Sequence, residues 1–386
     1  MRNRIFHRSK FASDLAQRLL EPNVLQTTSR DGLFLTGIRR IGKTTFLQQD
    51  LLPALEEKKA LVIYVDLWSN RDGKTPTKQV LAAIRHAVEH LSTQGMGLKE
   101  VKLNFPLLNF TFKSDEVGRL DGISLADAFT EIITKINTNI VLVIDEIQEA
   151  SRSSAGLDLL AALKAARDAV NLRVKNADGT YLLIVGTGSH RSLVSSMASR
   201  ASQPFYGSDR LDFPLLDGEF IEWKINDLKE NGIEKIPEKS ILEKGFAILG
   251  NRPKVFQQIL LSMQEYTGTE LGSAFLLNCT TQARIDADEF LQPIKVSDMM
   301  TKLIFTEIAR AGRSGCANFY SKTFLDSLSK KLNKSKRIPA SSVQAKLARM
   351  QKLDWIYPIS YGNYAVSDPQ AAETWLHNLD DYLCEL

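Results

Sequence analysis

The stretch from Leu33 to Leu47, Leu-Phe-Leu-Thr-Gly-Ile-Arg-Arg-Ile-Gly-Lys-Thr-Thr-Phe-Leu, constrains this chain more than any other. Leu33 to Leu35 reads as a short buried strand. Gly37, Ile38, Arg39, Arg40, Ile41, Gly42, Lys43 and Thr44 then satisfy G-x-x-x-x-G-K-[ST], the phosphate-binding loop, with Thr45 directly behind. The glycines let the backbone turn its N–H groups inward around an anion, and the helix that follows adds its dipole. Lys43 is placed to reach the β- and γ-phosphates, and the Thr44 hydroxyl to ligate Mg²⁺. Gly37 to Thr45 is therefore the expected cradle for a nucleoside triphosphate. No N-K-x-D guanine reader accompanies it, so ATP is the expected nucleotide.

A second motif fits the first. Ile140 to Ile144 is a solid apolar run that reads as a strand buried on both faces, and it ends in Asp145-Glu146. Asp145 is expected to hold Mg²⁺ through water, and Glu146 to position or deprotonate the attacking water. Tyr181 to Val185 reads as another buried strand, ending in Gly186-Thr-Gly-Ser-His-Arg191. Ligands lie at the carboxyl ends of such strands. Ser189, in preference to Thr187, is the candidate to feel a γ-phosphate, and His190 reads as a turn residue. Arg200 and Arg210 lie on the loop leading to a short final strand, where an arginine can reach a γ-phosphate in its own subunit or a neighbour's.

The remaining elements follow from periodicity. Helices are expected over residues 8–20, 43–59 with a bend at Pro53, 77–90, 125–136 with Ser124 as cap, and 157–168. Ala60 to Val65 reads as a strand. Alternating apolar residues between 95 and 122 suggest a β-ribbon or irregular insertion. Residues 217–290 are helical in pattern, interrupted by Gly250-Asn-Arg-Pro253. From Val296 three helical patterns (299–311, 319–332 and 341–353) precede a hairpin across Ser360-Tyr-Gly-Asn363, the order of a winged helix-turn-helix. Between Lys322 and Lys352, nine Lys or Arg face a single acid, Asp326, which suits phosphate contacts. If the third helix reads DNA, Ser342, Lys346 and Arg349 are candidates for its outward face. Winged helices also dock proteins or pack within the chain, and both readings stand at this point.

Composition narrows the setting. A length of 386 residues with 44% apolar and 24% charged residues is that of a globular protein of two or three domains. No apolar run is long enough for a membrane span. The basic start, Met-Arg-Asn-Arg-Ile-Phe-His-Arg, is not followed by an apolar segment and cleavage site. Cys279, Cys316 and Cys384 are far apart, without metal-ligand spacing. A cytoplasmic protein with no membrane partner is the expectation.

With these pieces placed, the chain resembles the archaeal-type P-loop ATPases, a branch near the STAND ATPases and the origin-recognition initiators of the AAA+ class. The double arginine of Gly37-Ile-Arg-Arg-Ile-Gly-Lys-Thr-Thr45, Ile144-Asp-Glu-Ile-Gln148, Gly188-Ser189, Pro204-Phe-Tyr-Gly207, Gly250-Asn-Arg-Pro253 and the terminal winged helix carry the resemblance. It implies an α/β, AAA+-like three-layer core with a parallel sheet (1–216), a helical lid (217–294) and a winged helix-turn-helix domain (295–386). It further implies hydrolysis of ATP with Mg²⁺, an arginine finger for which Arg210 is the candidate, and Pro253 of the lid packed near the nucleotide. Two departures are visible. In the family pattern the finger directly follows the Tyr-Gly pair, whereas here Ser208 and Asp209 intervene before Arg210. The lid arginine of initiators lies three residues after a glycine, where this chain has Pro253, with Arg252 preceding it. ATPase activity, slow or partner-activated, is the first expectation. The alternative is a nucleotide-gated switch that regulates through double-stranded DNA, a protein partner or a homo-oligomer.

Overall fold

The computed structural model describes residues 4–21, 30–68, 75–93, 119–120, 123–173 and 179–383. Five strands form its central sheet: β1 (Leu33–Thr36), β2 (Leu61–Asp66), β3 (Ile140–Asp145), β4 (Leu182–Gly188) and β5 (Asp209–Asp212), in the order β2-β3-β4-β1-β5. All neighbours are parallel. The apolar runs of β1, β3 and β4 are buried along their whole length, as a sheet covered on both faces requires. Alternation then divides the side chains. Ile140, Leu142 and Ile144 pack with Phe34, Ile184 and Leu160 on one face. Val141 and Val143 pack with Leu35, Val185 and Phe46 on the other. Helices on both faces complete the three layers expected from sequence.

Two local departures have physical reasons. The helix after the P-loop is three pieces: α-helical Lys43–Phe46, a π-turn Leu47–Leu51, and α-helical Leu52–Glu57. Pro53 has no N–H to continue the regular ladder, and Leu52 N bonds back to Leu47 O, which widens the turn. β4 also runs on through Gly188 instead of ending at Val185. Its glycines permit close packing here. A Cβ on Gly186 would lie 2.7 Å from Phe34 Cε1, and one on Gly188 would lie 2.5 Å from Val194 Cγ2.

The Leu125–Ile136 helix begins as expected, Ser124 accepting from the Asp127 amide. The ribbon read over 95–122 lies outside the described residues apart from Arg119–Leu120, which pairs antiparallel with Ile123–Ser124. Beyond β5, helices Gly218–Glu230, Lys239–Ile248, Pro253–Ser262 and Leu271–Lys295 enclose a cluster rich in phenylalanine. Phe6 joins it from the N-terminal segment, 5.6 Å from the rings of both Phe220 and Trp223. Helices Met299–Ala311, Lys322–Lys331 and Ala340–Lys352 precede the hairpin β6 (Ile356–Ser360) and β7 (Asn363–Val366), in the order of a winged helix. A further helix, Pro369–His377, is part of this unit. Its Trp375 is wholly buried, and the indole N–H donates to Thr306 at 2.9 Å. No helix among the described residues is long and apolar enough to cross a membrane.

Candidate functional site

A cavity of about 600 Å³ opens at the carboxyl ends of β1, β3 and β4, and the residues of the two sequence motifs line it together. Arg40 (φ 69°) and Gly42 (φ 91°) are both left-handed, and Gly42 leads directly into the Lys43–Phe46 helix. This turn is what aims successive amides at one point. Lys43 is 7% exposed, and its ammonium donates to the carbonyls of Gly37 and Ile38, at 2.8 Å each. Burial pushes the Lys43 ammonium down to about 8, against the pull of Glu146 and Asp145, with Arg191 and Arg39 adding to the depression.

Asp145 is 1% exposed and saturated with donors. Thr44 Oγ1 donates to it at 2.7 Å, Tyr64 OH at 3.4 Å and the Glu146 amide at 3.0 Å, and the Thr187 hydroxyl adds a fourth bond. Burial, with Asp145 beside it, pushes the Tyr64 hydroxyl well above its ordinary value, so it stays a donor. Glu146 takes a left-handed backbone (φ 53°), a conformation that costs a non-glycine residue energy and recurs at functional sites. Its Oε2 accepts from Ser189 Oγ at 2.9 Å, from the Ser189 amide at 3.3 Å, and from the Gln148 side chain. Ser189 thus lies in the cavity, whereas Thr187 serves Asp145 from behind. His190 caps the Arg191–Ser199 helix, its Nδ1 accepting from Leu193 N.

The opposite end of the cavity is more apolar, formed by Ile5, Phe6, Phe213, Leu216, Phe220 and Pro253. The sequence reading missed how the N-terminal segment is held there. Asp50 accepts from the Arg8 amide at 3.2 Å and lies 2.8 Å from His7 Nδ1, while Arg8 Nη1 donates to Pro214 O at 2.7 Å. The signal was present: Asp50 stands on the inward side of an amphipathic helix, four positions after buried Phe46, where a carboxylate needs partners.

The arginines are distributed differently from the expectation. Arg210 does not line the cavity; from β5 it donates to the carbonyls of Pro358 (3.1 Å) and Ile359 (2.6 Å) in β6. A finger role in its own subunit does not fit this placement, because the side chain is spent on the hairpin. Arg200 donates to Gln351 at 3.1 Å. Arg252 is turned from the cavity to Asp286 (3.0 Å) and Asp368 (2.5 Å), although Pro253, next to it, lines the cavity. Arg39 does line it, with its Nε 3.4 Å from Ser189 Oγ.

On the winged helix, Arg349 is exposed, but Lys346 pairs with Asp298 at 2.6 Å, and Ser342 is half-buried with its amide bonded to Pro339 O. The charge excess counted along the sequence is reduced in space, since Lys331 pairs with Glu307 and Arg337 with Asp326. The far end of the Ala340–Lys352 helix faces the core. Gln351 meets Arg200, and Asp354 just beyond accepts from the Ser192 amide at 3.2 Å.

The family model of the AAA domain matches residues 26–194. The match spans the P-loop, Asp145-Glu146 and Ser189, while Ile5, Phe6, Phe213, Leu216, Phe220 and Pro253, which line the apolar end of the cavity, lie outside it. Among solved structures, the ADP form of the Aeropyrum pernix ORC2 protein has 15% identity and a TM-score of 0.52, with 100% of this chain and 95% of that chain covered. Its ADPNP-ADP complexes match with 14% identity and a TM-score of 0.49, covering 99% and 95%. The Aeropyrum pernix ORC1 protein in complex with DNA has 16% identity and a TM-score of 0.37, covering 98% and 94%. A comparison with curated proteins finds no match. The chain thus shares the fold of the Aeropyrum pernix ORC2 protein.

Proposed function

We propose that the chain binds ATP with Mg²⁺ in the P-loop cavity, hydrolyses it, and couples the nucleotide state to the position of its winged helix. The observation that carries the reading is Glu146. A carboxylate held by hydrogen bonds on a left-handed backbone, beside the Thr44–Asp145 pair, is built to orient and deprotonate one water. The donor set fits the substrate: Gly37 to Thr45 for the phosphates, Lys43 for charge, and the hydroxyl and carboxylate of Thr44 and Asp145 as hard oxygen ligands for Mg²⁺. When bound, Mg²⁺ neutralises the phosphates and orients them for in-line attack. The apolar end, with Phe6, Phe213 and Pro253, suits a nucleobase.

Coupling rests on short links. Ser189 touches Glu146, and three residues later the Ser192 amide binds Asp354 of the winged helix. Thr36, just before the P-loop, donates to Asp212 at 2.7 Å; Asp212 pairs with Arg191 at 3.0 Å, and Arg191 lies 4.1 Å from the Tyr357 ring of β6. Residues 1–216 are then the ATPase core, 217–294 the lid, and 295–386 the winged helix that meets double-stranded DNA. A second reading, in which the winged helix serves protein or intramolecular contacts in a slow cytoplasmic switch or homo-oligomer, draws support from Arg210, which already holds β6 on the core.

The test is ATP turnover by the full chain with and without duplex DNA, beside Glu146→Gln. The expected outcome is a Glu146→Gln variant that binds ATP but turns over at least about 100-fold more slowly. Undiminished turnover there removes Glu146 from the mechanism. Stimulation by DNA supports the DNA-acting reading, and turnover indifferent to DNA supports the switch.

A further inference from the structure

The cavity is lined by Arg8, Arg39 and Arg40, and three more arginines stand close to the site in sequence or space, Arg191, Arg210 and Arg252. Most are already committed. Arg8 binds Pro214 O, Arg191 binds Asp212, Arg210 binds the wing carbonyls, and Arg252 binds two aspartates. Arg39 differs. Its Nε reaches only the neutral hydroxyl of Ser189, its guanidinium lies 5.4 Å from the ring centroid of Trp68, and among the described residues it has no carboxylate at ion-pair distance. Arg40 is exposed like Arg39, but it sits on a left-handed backbone and lacks that bond to Ser189. Because Ser189 also donates to Glu146, one hydroxyl links the Arg39 guanidinium to the carboxylate proposed to act on the attacking water.

We propose that Arg39 is the arginine finger of this ATPase, supplied by the P-loop of the same chain, with Ser189 orienting its fork toward the γ-phosphate. The inference rests on the ATPase reading above. In the step it assists, water oxygen bonds to the γ-phosphorus as the bond to the β–γ bridging oxygen breaks. The electron pair leaves on ADP, and the water proton passes to Glu146. Charge builds on the γ-oxygens, where a planar, always-protonated guanidinium is the strongest side-chain partner. Trp68, 40% exposed, provides the flat face on which such a cation rests between turnovers.

The experiment uses the full chain and two probes, ATPγS and ADP, with Arg39→Ala and Arg39→Lys beside the wild type. Calorimetric affinities are expected to show wild type preferring ATPγS and Arg39→Ala losing that preference about tenfold, with ADP affinity unchanged as the control for folding. Turnover is expected to fall about 1,000-fold in Arg39→Ala, the usual scale for a finger, with partial recovery in Arg39→Lys. Mixing Arg39→Ala with Lys43→Ala, which carries Arg39 but an impaired P-loop, is expected to restore nothing. Restored activity in the mixture would overturn supply within one chain. An Arg39→Ala variant that keeps both the ATPγS preference and the turnover overturns the assignment to Arg39 while leaving the ATPase reading intact. A wild type that binds neither probe overturns both.

Discussion

The P-loop cavity and the seams that the winged helix makes with the lid and the core both gather charges, but they treat them in opposite ways. In the cavity, charges are held by neutral dipoles: Lys43 by two carbonyls, Asp145 by three hydroxyls and an amide, Glu146 by a hydroxyl, an amide and a carboxamide. At the seams charges cancel each other, Arg252 of the lid against Asp286 and Asp368, and Arg191 of the core against Asp212. Dipoles fix a charged group in place without neutralising it, so its field stays available to a ligand. Ion pairs consume their charge and leave geometry behind. The first arrangement is that of a site, and the second is that of a joint.

That contrast is open to direct attack. Lys43→Ala should weaken ATP binding by at least about 100-fold, because it removes the cavity's buried cation, a loss of roughly 3 kcal/mol. Calorimetry reads it directly, and normal affinity would mean the cavity is not built for phosphate. Arg252→Ala should instead leave two largely buried aspartates unpaired, at a cost of about 3 kcal/mol in denaturant unfolding. If the joint reading is right, it should also make the segment between lid and winged helix more sensitive to limited proteolysis; unchanged stability would show the pair is dispensable.

A pH series separates the two regions further. Lys43 titrates near 8 in the folded chain against 10.5 ordinarily. Phosphate needs the protonated form, so ATP affinity should fall about tenfold between pH 7 and 9, with proton uptake on binding. The stability sign is opposite. Between about 8 and 10.5 the unfolded chain binds more protons at this residue, so the Lys43 contribution to stability of the ligand-free protein rises with pH over that window. A flat affinity profile would place the Lys43 titration elsewhere. The smallest effect belongs to the exposed face of the winged helix. Arg349→Glu should reduce the salt slope of duplex DNA binding by at least about one, whereas Lys346→Glu, whose ammonium is shared with Asp298, should change it less. Equal effects, or none, would move the DNA contact off this helix.

The motifs of the core were legible because their chemistry depends on local backbone. Gly37 to Thr44 must wrap a phosphate within one turn, and an apolar run ending in Asp145-Glu146 must carry its carboxylates at a strand end, so spacing alone exposes both. The same reasoning ended β4 too early, at Val185, whereas Gly186 and Gly188 continue it and serve tight packing against Phe34 and Val194. The arginines were the least legible. A guanidinium reaches several ångströms from its backbone, so its partner is chosen by whatever the fold brings near, and neither the Arg210 contact with the wing nor the Arg252 pairing with Asp368 has a local signature.

By itself, then, the sequence determined the three-layer core, the order of lid and winged helix, and the P-loop with its two carboxylates, because each follows from periodicity or from contacts within a few residues. Only the tertiary structure decided which charges face the cavity and which close the seam. Arg39 and Glu146 meet through Ser189, and Arg191 reaches Tyr357, across separations of more than a hundred residues that no local pattern encodes.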